Sequence, residues 1–319
     1  MAKVYVTRPI PEVGVNTLKE KFEVVVNPEN RVLSKDELKQ TVAGVDAILC
    51  LLTDKIDGEV LDAAGRGLKV VANYAVGVDN IDLEAAKQRN VVVANTPGVL
   101  TEAVAEHAIA LLLACAKSIT EADKFTREGQ YKQWEPKGFL GPQVTGKTLG
   151  VVGLGRIGSM VASFGHKGLG MNILYYDVKQ NAEFENEVDA KFASLDEVLK
   201  QSDFVSIHVP LLPTTKHLIN AEKFSLMKKT AVLVNTSRGP VIDEAALVQA
   251  LRSKQIWAAG LDVFENEPTL AAGLAELSNV ILTPHTASAT FEARDAMSKM
   301  AAENIIAVLE GKTPPNIAK

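Results

Sequence analysis

Arg238, Glu267 and His285 each lie in a polar segment that directly follows a short apolar run. The three segments are 235–239, 262–268 and 283–288. Short apolar runs separated by helical stretches are typical of the strands of an open α/β sheet, and such sheets bind ligands beyond the carboxyl ends of their strands. The sequence therefore predicts that these three side chains gather at one edge of a sheet.

The types of these residues suit one kind of chemistry. The planar guanidinium of Arg238 can bind carboxylate and carbonyl oxygens through paired hydrogen bonds. The imidazole of His285 is the natural general acid near neutral pH, and a carboxylate from Glu267 would stabilise its protonated form. Each residue alone is most often structural or solvated. Together they could bind a small 2-oxo acid and protonate its carbonyl oxygen while carbon 2 is reduced.

A glycine-rich stretch at 153–158 lies between a predicted strand and a predicted helix. In this context Gly153 permits a tight turn, Gly155 leaves room for a pyrophosphate, and Gly158 lets the helix pack on the strand. The free N–H groups at the helix N-terminus would bind the phosphates. Asp177, about 20 residues further on, would accept hydrogen bonds from ribose hydroxyls and repel a 2′-phosphate. The sequence therefore predicts an NAD site rather than an NADP site.

The first hundred residues alternate strands and helices. Ser34 and Glu37 form a capping box, and Asp57 and Asp82 are expected to cap two further helices. Continuous apolar strands separated by helices predict a parallel sheet that is covered on both faces. The predicted strands of this half are at 4–6, 24–26, 47–49, 70–72 and 91–93.

A second series of strands and helices begins near residue 147. One long helix, predicted from about 101 to 128, separates it from the first series, and a final helix at about 292–309 is expected to pack back on the first domain. The predicted strands of this half are at 149–152, 173–176, 204–207, 231–234 and 280–282.

The bulk composition excludes several classes of protein. A length of 319 residues suggests about two domains, and a net charge of −5 gives no general attraction to nucleic acid or to anionic membranes. Cys50 and Cys115 lie in apolar surroundings and are predicted to be buried rather than paired or metal-bound. Residues 1–9 are typical of a strand and not of a signal peptide, so a cytoplasmic protein is expected.

The three polar segments, the glycine motif and Asp177 resemble the D-isomer-specific 2-hydroxyacid dehydrogenases over nearly the whole chain. The resemblance implies that Arg238 orients the substrate, that Glu267 and His285 relay a proton, and that NADH supplies a hydride to the 2-oxo carbon. It also implies two Rossmann-like domains with the active site in a cleft between them. A doubly wound NAD-binding domain would span 99–289, and a flavodoxin-like substrate domain would combine 1–98 with 290–319.

The same resemblance implies further contacts. Backbone N–H groups around Val76 and Gly77 would hold the substrate carboxylate, and Leu52 would cap a small pocket. Trp134 would either reach the partner's site in a homodimer or anchor an interface loop. Asp262 would hold the nicotinamide carboxamide, and no residue is assigned to a metal. The other implied cofactor contacts are Thr101, Arg156, Ile157, His208, Val209, Pro210, Thr215, Thr236, Ser237 and Ser288.

The substrate is predicted from two segments. The run 49–54 and the loop 134–136 are most similar to glyoxylate and hydroxypyruvate reductases, which would make glycolate and D-glycerate. Phosphoglycerate dehydrogenases tend to carry an arginine near 51–52, where this chain has leucines, and formate dehydrogenases have glutamine in place of Glu267. The alternatives left open are a D-lactate, D-3-phosphoglycerate or phosphite dehydrogenase and, in another class, an NADH-sensing corepressor-like binding protein.

Overall fold

The computed structural model describes residues 1–318, which form two compact units. The first unit combines residues 1–100 with the segment from Ala289 onward, and the second unit is Thr101–Ser288. Each unit has its own parallel sheet. The chain therefore leaves the first unit once and returns to it at the C-terminal end.

The first unit is built on a sheet of five parallel strands in the order β2-β1-β3-β4-β5. All residues of β3 and β4 are buried because helices cover both faces of the sheet, which explains why both strands are apolar except for Asn73. This strand order is that of flavodoxin-like folds. The strands are β1 (Lys3–Val6), β2 (Glu23–Val26), β3 (Ala47–Cys50), β4 (Val70–Asn73) and β5 (Val92–Ala94).

Helices of the first unit begin where their caps predict. Ser34 forms a complete capping box with Glu37, and the side chains of Asp57 and Asp82 each accept hydrogen bonds from the first turn of a helix. These local predictions are confirmed. The helices are α1 (Glu12–Lys19), α2 (Lys35–Thr41), α3 (Gly58–Ala64), α4 (Leu83–Gln88) and, at the end of the chain, α12 (Phe291–Leu309).

The helix α12 packs closely on α1. Gly14 makes this approach possible, because a Cβ atom there would lie 2.0 Å from the backbone oxygen of Ser298. The Ser298 hydroxyl accepts a hydrogen bond from the N–H of Gly14 at 3.1 Å and donates one to the Pro11 oxygen at 2.6 Å. The C-terminal helix is thereby fixed to the first unit.

The second unit contains seven parallel strands in the order β12-β11-β10-β9-β6-β7-β8. The chain moves outward in one direction from β6 through β7 to β8 and then in the other from β9, so the strand order reverses between β6 and β9. Ligands of doubly wound sheets bind at such a switch point. The strands are β6 (Thr148–Val152), β7 (Asn172–Tyr176), β8 (Lys191–Phe192), β9 (Phe204–Ile207), β10 (Val232–Asn235), β11 (Ala258–Leu261) and β12 (Val280–Leu282).

Helices flank both faces of this second sheet, so the prediction of two Rossmann-like α/β folds is confirmed. A π-helical turn at Phe164–Gly168 and a 3₁₀ turn at Gly239–Val241 complete the second unit. The helices are α5 (Thr101–Ala116), α6 (Ile119–Arg127), α7 (Arg156–Ser163), α8 (Ala182–Val188), α9 (Leu195–Gln201), α10 (Ala221–Leu226) and α11 (Glu244–Arg252).

The prediction of one long helix from about 101 to 128 is wrong. The structure has two helices, α5 and α6, bent by 63° at a break where Ser118 adopts a left-handed conformation with φ of 50°. Nine residues of α5 are buried, whereas α6 buries none. The apolar helix α5 packs on the core of the sheet, whereas the polar helix α6 buries no residue. The chain therefore bends where the buried part ends.

Within residues 1–318, no single helix has the length and apolar character needed to cross a membrane. Only α5 and α6 counted together, across their bend, meet that criterion by length and composition.

Candidate active site

His285 and Glu267 form a hydrogen-bonded pair in the second unit. Nδ1 of His285 lies 2.9 Å from Oε2 of Glu267, and the other carboxylate oxygen accepts from the N–H of Phe264 at 3.0 Å. The two side chains are 27% and 31% exposed, so a small molecule can reach them. Because Nδ1 faces the carboxylate, Nε2 is the ring nitrogen that can transfer a proton to a bound molecule.

The charge of Glu267 is stabilised by its neighbours. Burial acts to raise the pKa of Glu267, but the hydrogen bond and charge of His285, the Phe264 amide and the charge of Arg238 together lower that pKa below its usual value. Glu267 is therefore a carboxylate at neutral pH. The carboxylate thereby fixes the orientation of the His285 ring through Nδ1.

Arg238 follows β10, and Glu267 follows β11, which is the neighbouring strand of the sheet. Its Nη1 donates to the Ser237 oxygen at 2.9 Å, and its own backbone oxygen accepts from Nδ2 of Asn235 at 3.0 Å. The next residue, Gly239, lies so close to Phe264 that a Cβ atom would be 1.9 Å from the Phe264 backbone carbon. The segments that carry Arg238 and Glu267 are therefore in direct backbone contact.

The glycine motif forms the turn between β6 and α7. Gly153 has φ of +97°, and a Cβ there would lie 2.9 Å from the backbone of His208. A Cβ at Gly158 would lie 2.0 Å from the Gly153 oxygen, so helix and turn pack too closely for a side chain. Gly155 differs, because no atom lies within 4 Å of the position of its Cβ. The fold does not need a glycine at 155, and the open space fits an approaching pyrophosphate.

Asp177 follows β7 and is hydrogen-bonded to the glycine turn. Its Oδ2 accepts from the N–H of Leu154 at 2.6 Å, and its Oδ1 accepts from the N–H of Val178 at 2.6 Å. The carboxylate therefore lies beside the turn that would bind a pyrophosphate. This is where an acid can contact the ribose of a dinucleotide.

Three of the predicted cofactor residues, His208, Val209 and Pro210, follow β9. Nε2 of His208 lies 2.7 Å from the Ser206 hydroxyl, and burial lowers the pKa of His208 to about 3, so the ring is neutral at neutral pH. The Thr215 hydroxyl donates to the Pro210 oxygen at 2.6 Å and closes this loop. The loop is thereby held next to Gly153, at the switch point of the sheet.

The buried hydroxyl of Thr236, directly after β10, has no hydrogen-bond partner among residues 1–318. A buried hydroxyl without a partner is unfavourable, so a bound group that supplies one would be stabilised. The neighbouring Ser237 hydroxyl donates to Asn235 at 2.8 Å. Of the remaining predicted contacts, Thr101 is the first residue of α5, Arg156 and Ile157 begin α7, and Ser288 ends the second unit.

Asp262 follows β11 and has no exposed surface. Burial acts to raise the pKa of Asp262, but hydrogen bonds from His107, Thr283, Thr286 and Ala287 outweigh it and lower that pKa. The participation of His107 and Thr283 was missed from the sequence. The position of Thr283 directly after a strand is the one sequence signal for this cluster. His107 lies within a helix, and no motif around it indicates a function.

In the first unit, the loop at 74–80 is held by its carbonyl groups. Nδ2 of Asn95 donates to the Val76 oxygen at 2.7 Å, and Nδ2 of Asn73 donates to the Gly77 oxygen at 2.8 Å. In a trans peptide the N–H points away from the carbonyl. The N–H of Gly77 therefore points away from Asn95, and it can serve a carboxylate.

Leu52 lies in a neighbouring loop of the first unit, at 51–54. The Asp54 carboxylate accepts from the N–H of Leu51 at 2.8 Å, and Nδ2 of Asn80 donates to the oxygens of Leu51 and Asp54, both at 3.0 Å. Asn80 thus ties the Leu52 loop to the loop that carries Gly77. Trp134, in the second unit, is 78% exposed.

The chain is similar to known proteins over nearly its whole length. Residues 109–287 match the model of the NAD binding domain of D-isomer specific 2-hydroxyacid dehydrogenases. The chain is 50% identical to a glyoxylate reductase of Pyrococcus furiosus, over 99% of this chain and 94% of that one.

Solved structures of similar proteins cover the chain as well. A Thermus thermophilus protein is 43% identical with a TM-score of 0.94, over 99% of this chain and 100% of that one. An NADPH-dependent glyoxylate/hydroxypyruvate reductase from Sinorhizobium meliloti, solved with NADP and malonate, is 32% identical with a TM-score of 0.86, over 99% of this chain and 96% of that one.

Proposed function

Because the chain belongs to the family of D-isomer specific 2-hydroxyacid dehydrogenases, we propose that it is an NAD-dependent reductase of glyoxylate and hydroxypyruvate. The observation that carries this proposal is the pairing of His285 with Glu267 at 2.9 Å, next to the segment of Arg238. The relatives named glyoxylate reductase, at about half identity over nearly the whole chain, support the choice of substrate.

When bound, NADH supplies the hydride that reduces carbon 2 of the acid. Arg238 binds the carboxylate and carbonyl oxygens, and Nε2 of His285 donates a proton to the carbonyl oxygen as charge develops there. Glu267 holds the ring through Nδ1 and stabilises its positive charge before the transfer. In the reverse direction, neutral His285 accepts the proton of the 2-hydroxyl group. The products of reduction are glycolate and D-glycerate.

The residues at the glycine turn fit NAD. The open space beside Gly155 is suited to the pyrophosphate, and the carboxylate of Asp177 is suited to the ribose. The unpartnered hydroxyl of Thr236 is suited to another polar group of the dinucleotide. Asp262 is proposed to hold the nicotinamide carboxamide. The other cofactor contacts implied by the sequence remain proposals of the same kind.

The substrate contacts of the first unit are also proposals. The N–H of Gly77 and the neighbouring Val76 would hold the substrate carboxylate, and Leu52 would restrict the pocket to small acids. The way in which Asn73, Asn95 and Asn80 hold these two loops supports this, because a preorganised loop binds a small anion at less entropic cost.

The proposed function is tested by turnover. We expect NADH-dependent reduction of glyoxylate and hydroxypyruvate, followed as loss of absorbance at about 340 nm, with slower reduction of 2-oxo acids that carry branched or aromatic side chains, because Leu52 limits the pocket. The panel should include 3-phosphohydroxypyruvate, D-lactate and phosphite, with NADH or NAD as each reaction requires. Absence of turnover of both glyoxylate and hydroxypyruvate would refute the proposal, and turnover of phosphite alone would move the chain to another branch.

The carboxylate of Asp177 should decide the choice of cofactor. We expect Asp177→Asn to lower the ratio of kcat/KM with NADH to kcat/KM with NADPH by about tenfold or more, because it removes the charge that repels a 2′-phosphate. Asn keeps an oxygen that can accept from the Leu154 N–H, so the turn stays supported. Asp196→Asn, which also removes one carboxylate charge from the same unit, is the control. An unchanged ratio in Asp177→Asn would show that Asp177 does not select NAD.

A homodimer is part of the proposal. The segment after α5 exposes several apolar side chains, and α6 buries no residue, as expected of a surface that a second copy covers. We expect light scattering to give about twice the chain mass of 34.2 kDa. A cytoplasmic location stays a prediction from the sequence. The exposed apolar residues include Ile119, Tyr131, Trp134 and Leu140.

A further inference from the structure

The buried carboxylate of Asp262 organises the segment that carries His285. Its Oδ1 accepts from the Thr283 hydroxyl at 2.7 Å and from the N–H of Thr286 at 2.8 Å, and its Oδ2 accepts from the N–H of Ala287 at 2.8 Å. These donors lie on both sides of His285 in the chain. The segment 283–287 therefore folds around one carboxylate.

The backbone of His285 needs this support. Its φ of +55° lies in the left-handed region, which is unfavourable for histidine and persists where the surroundings impose it. Its N–H donates to the backbone oxygens of Asp262 at 2.9 Å and Thr283 at 3.0 Å. The direction of the His285 side chain is therefore set by the position of Asp262 and Thr283 as well as by Glu267.

His107, in α5, contacts the side chains of Thr283 and Asp262 in this cluster. Its Nε2 lies 3.1 Å from the Thr283 hydroxyl and 3.4 Å from Oδ1 of Asp262. The Thr283 hydroxyl gives its own proton to Asp262, so it can only accept from His107. Nε2 of His107 therefore carries a hydrogen, and the hydrogen bonds run from His107 through Thr283 to Asp262.

The sheet brings the helix close enough for this contact. A Cβ at Gly260 in β11 would lie 3.0 Å from Cβ of Leu111, so α5 packs directly on the strand that ends before Asp262. Leu111 lies about one helical turn after His107. The position of His107 is thus set by the packing of α5 on β11, not by a mobile loop.

We infer that His107 is a positioning residue for proton transfer by His285, an inference that rests on the proposed reductase function. The chain of hydrogen bonds through Thr283 fixes Asp262, and Asp262 fixes the left-handed turn at His285. Small displacements of a catalytic group slow the chemical step much more than they weaken binding. Loss of His107 should therefore lower kcat.

The test compares His107→Leu with His107→Gln. We expect His107→Leu to lower kcat for glyoxylate about tenfold, the scale of one lost hydrogen bond. Gln can place an amide donor near the position of Nε2, so His107→Gln should recover most of kcat. His166→Leu is the matched control. Nδ1 of His166 contacts the Met171 oxygen in the same turn, so we expect this variant to leave kcat unchanged.

A second readout needs neither substrate nor cofactor. In protein with isotope-labelled histidines, the ring resonances of His285, assigned by their loss in His285→Asn, should shift in His107→Leu and return in His107→Gln. If the resonances and kcat are unchanged in His107→Leu, or if Gln restores neither, the inference is wrong. If the original protein reduces no 2-oxo acid, the proposed function fails, while the resonances still show whether His107 positions His285.

A variant on the neighbouring residue covers the case in which His107→Leu does not fold. Thr283→Val removes the hydroxyl and keeps the branched shape, so it interrupts the chain of hydrogen bonds without a change of volume. It should give the same loss of kcat and the same shift of the His285 resonances. Normal kcat in Thr283→Val would overturn the inference.

Discussion

Replacing His285 by asparagine should lower kcat for glyoxylate by roughly 10²–10⁴-fold, the usual range for loss of a general acid. Asparagine tolerates the left-handed backbone at this position, and its amide can still donate to Glu267, so the loop is expected to keep its shape. The KM for NADH should change little. Steady-state kinetics with saturating NADH, together with a thermal melt, measures both effects.

The matched control is His217→Asn. His217 is also left-handed, with φ of +51°, and its Nε2 lies 2.6 Å from Glu265 in the same unit. We expect its kcat to stay within about threefold of the original protein, since its partner is Glu265, whereas the charge of Arg238 acts on Glu267, the partner of His285. Equal activity in His285→Asn and His217→Asn would mean that another group donates the proton.

Replacing Gly239 by alanine should destabilise the second unit by at least about 3 kcal/mol, the upper end for overpacking. The added Cβ would lie 1.9 Å from the backbone carbon and oxygen of Phe264, and backbone atoms cannot rotate away as a side chain can. For a unit of this size, the melting temperature should fall by roughly 6–12 °C. Activity should fall as well, because the displaced segment carries Glu267.

Gly168→Ala provides the comparison for this prediction. No atom lies within 4 Å of its added Cβ, and its φ is not positive, so the melting temperature should stay within about 2 °C of the original. Circular dichroism melts of both variants are sufficient. A melt of Gly239→Ala that matched that of Gly168→Ala would show that the segments of Arg238 and Glu267 are not packed as described.

Sequence patterns predicted the features that depend on neighbouring residues. The caps at Ser34, Asp57 and Asp82 follow from side chains that bond to the next turn, and the strands follow from continuous apolar runs. The polar segments after β10, β11 and β12 were recognisable for the same reason. Since parallel strands end at one edge, placing the strands was enough to group Arg238, Glu267 and His285 at that edge.

Features set by distant packing could not be read in this way. Nothing in Lys117 or Ser118 marks the bend between α5 and α6, because neither glycine nor proline is present and the turn follows from where burial ends. The sequence around His107 gives no sign of its contacts, since its partners Thr283 and Asp262 lie far away in sequence. The roles of the site residues remain predictions for the experiments above.

The amide of Asn80 has a consequence for attempts to broaden the range of acids accepted. It holds two backbone oxygens of the Leu52 loop and also accepts from Asn73, which holds the Gly77 oxygen. The two loops are therefore mechanically coupled. Under the proposed role of Leu52, larger acids are better accommodated by shortening Leu52 than by remodelling either loop, because a bulkier residue at 52 would displace both loops together.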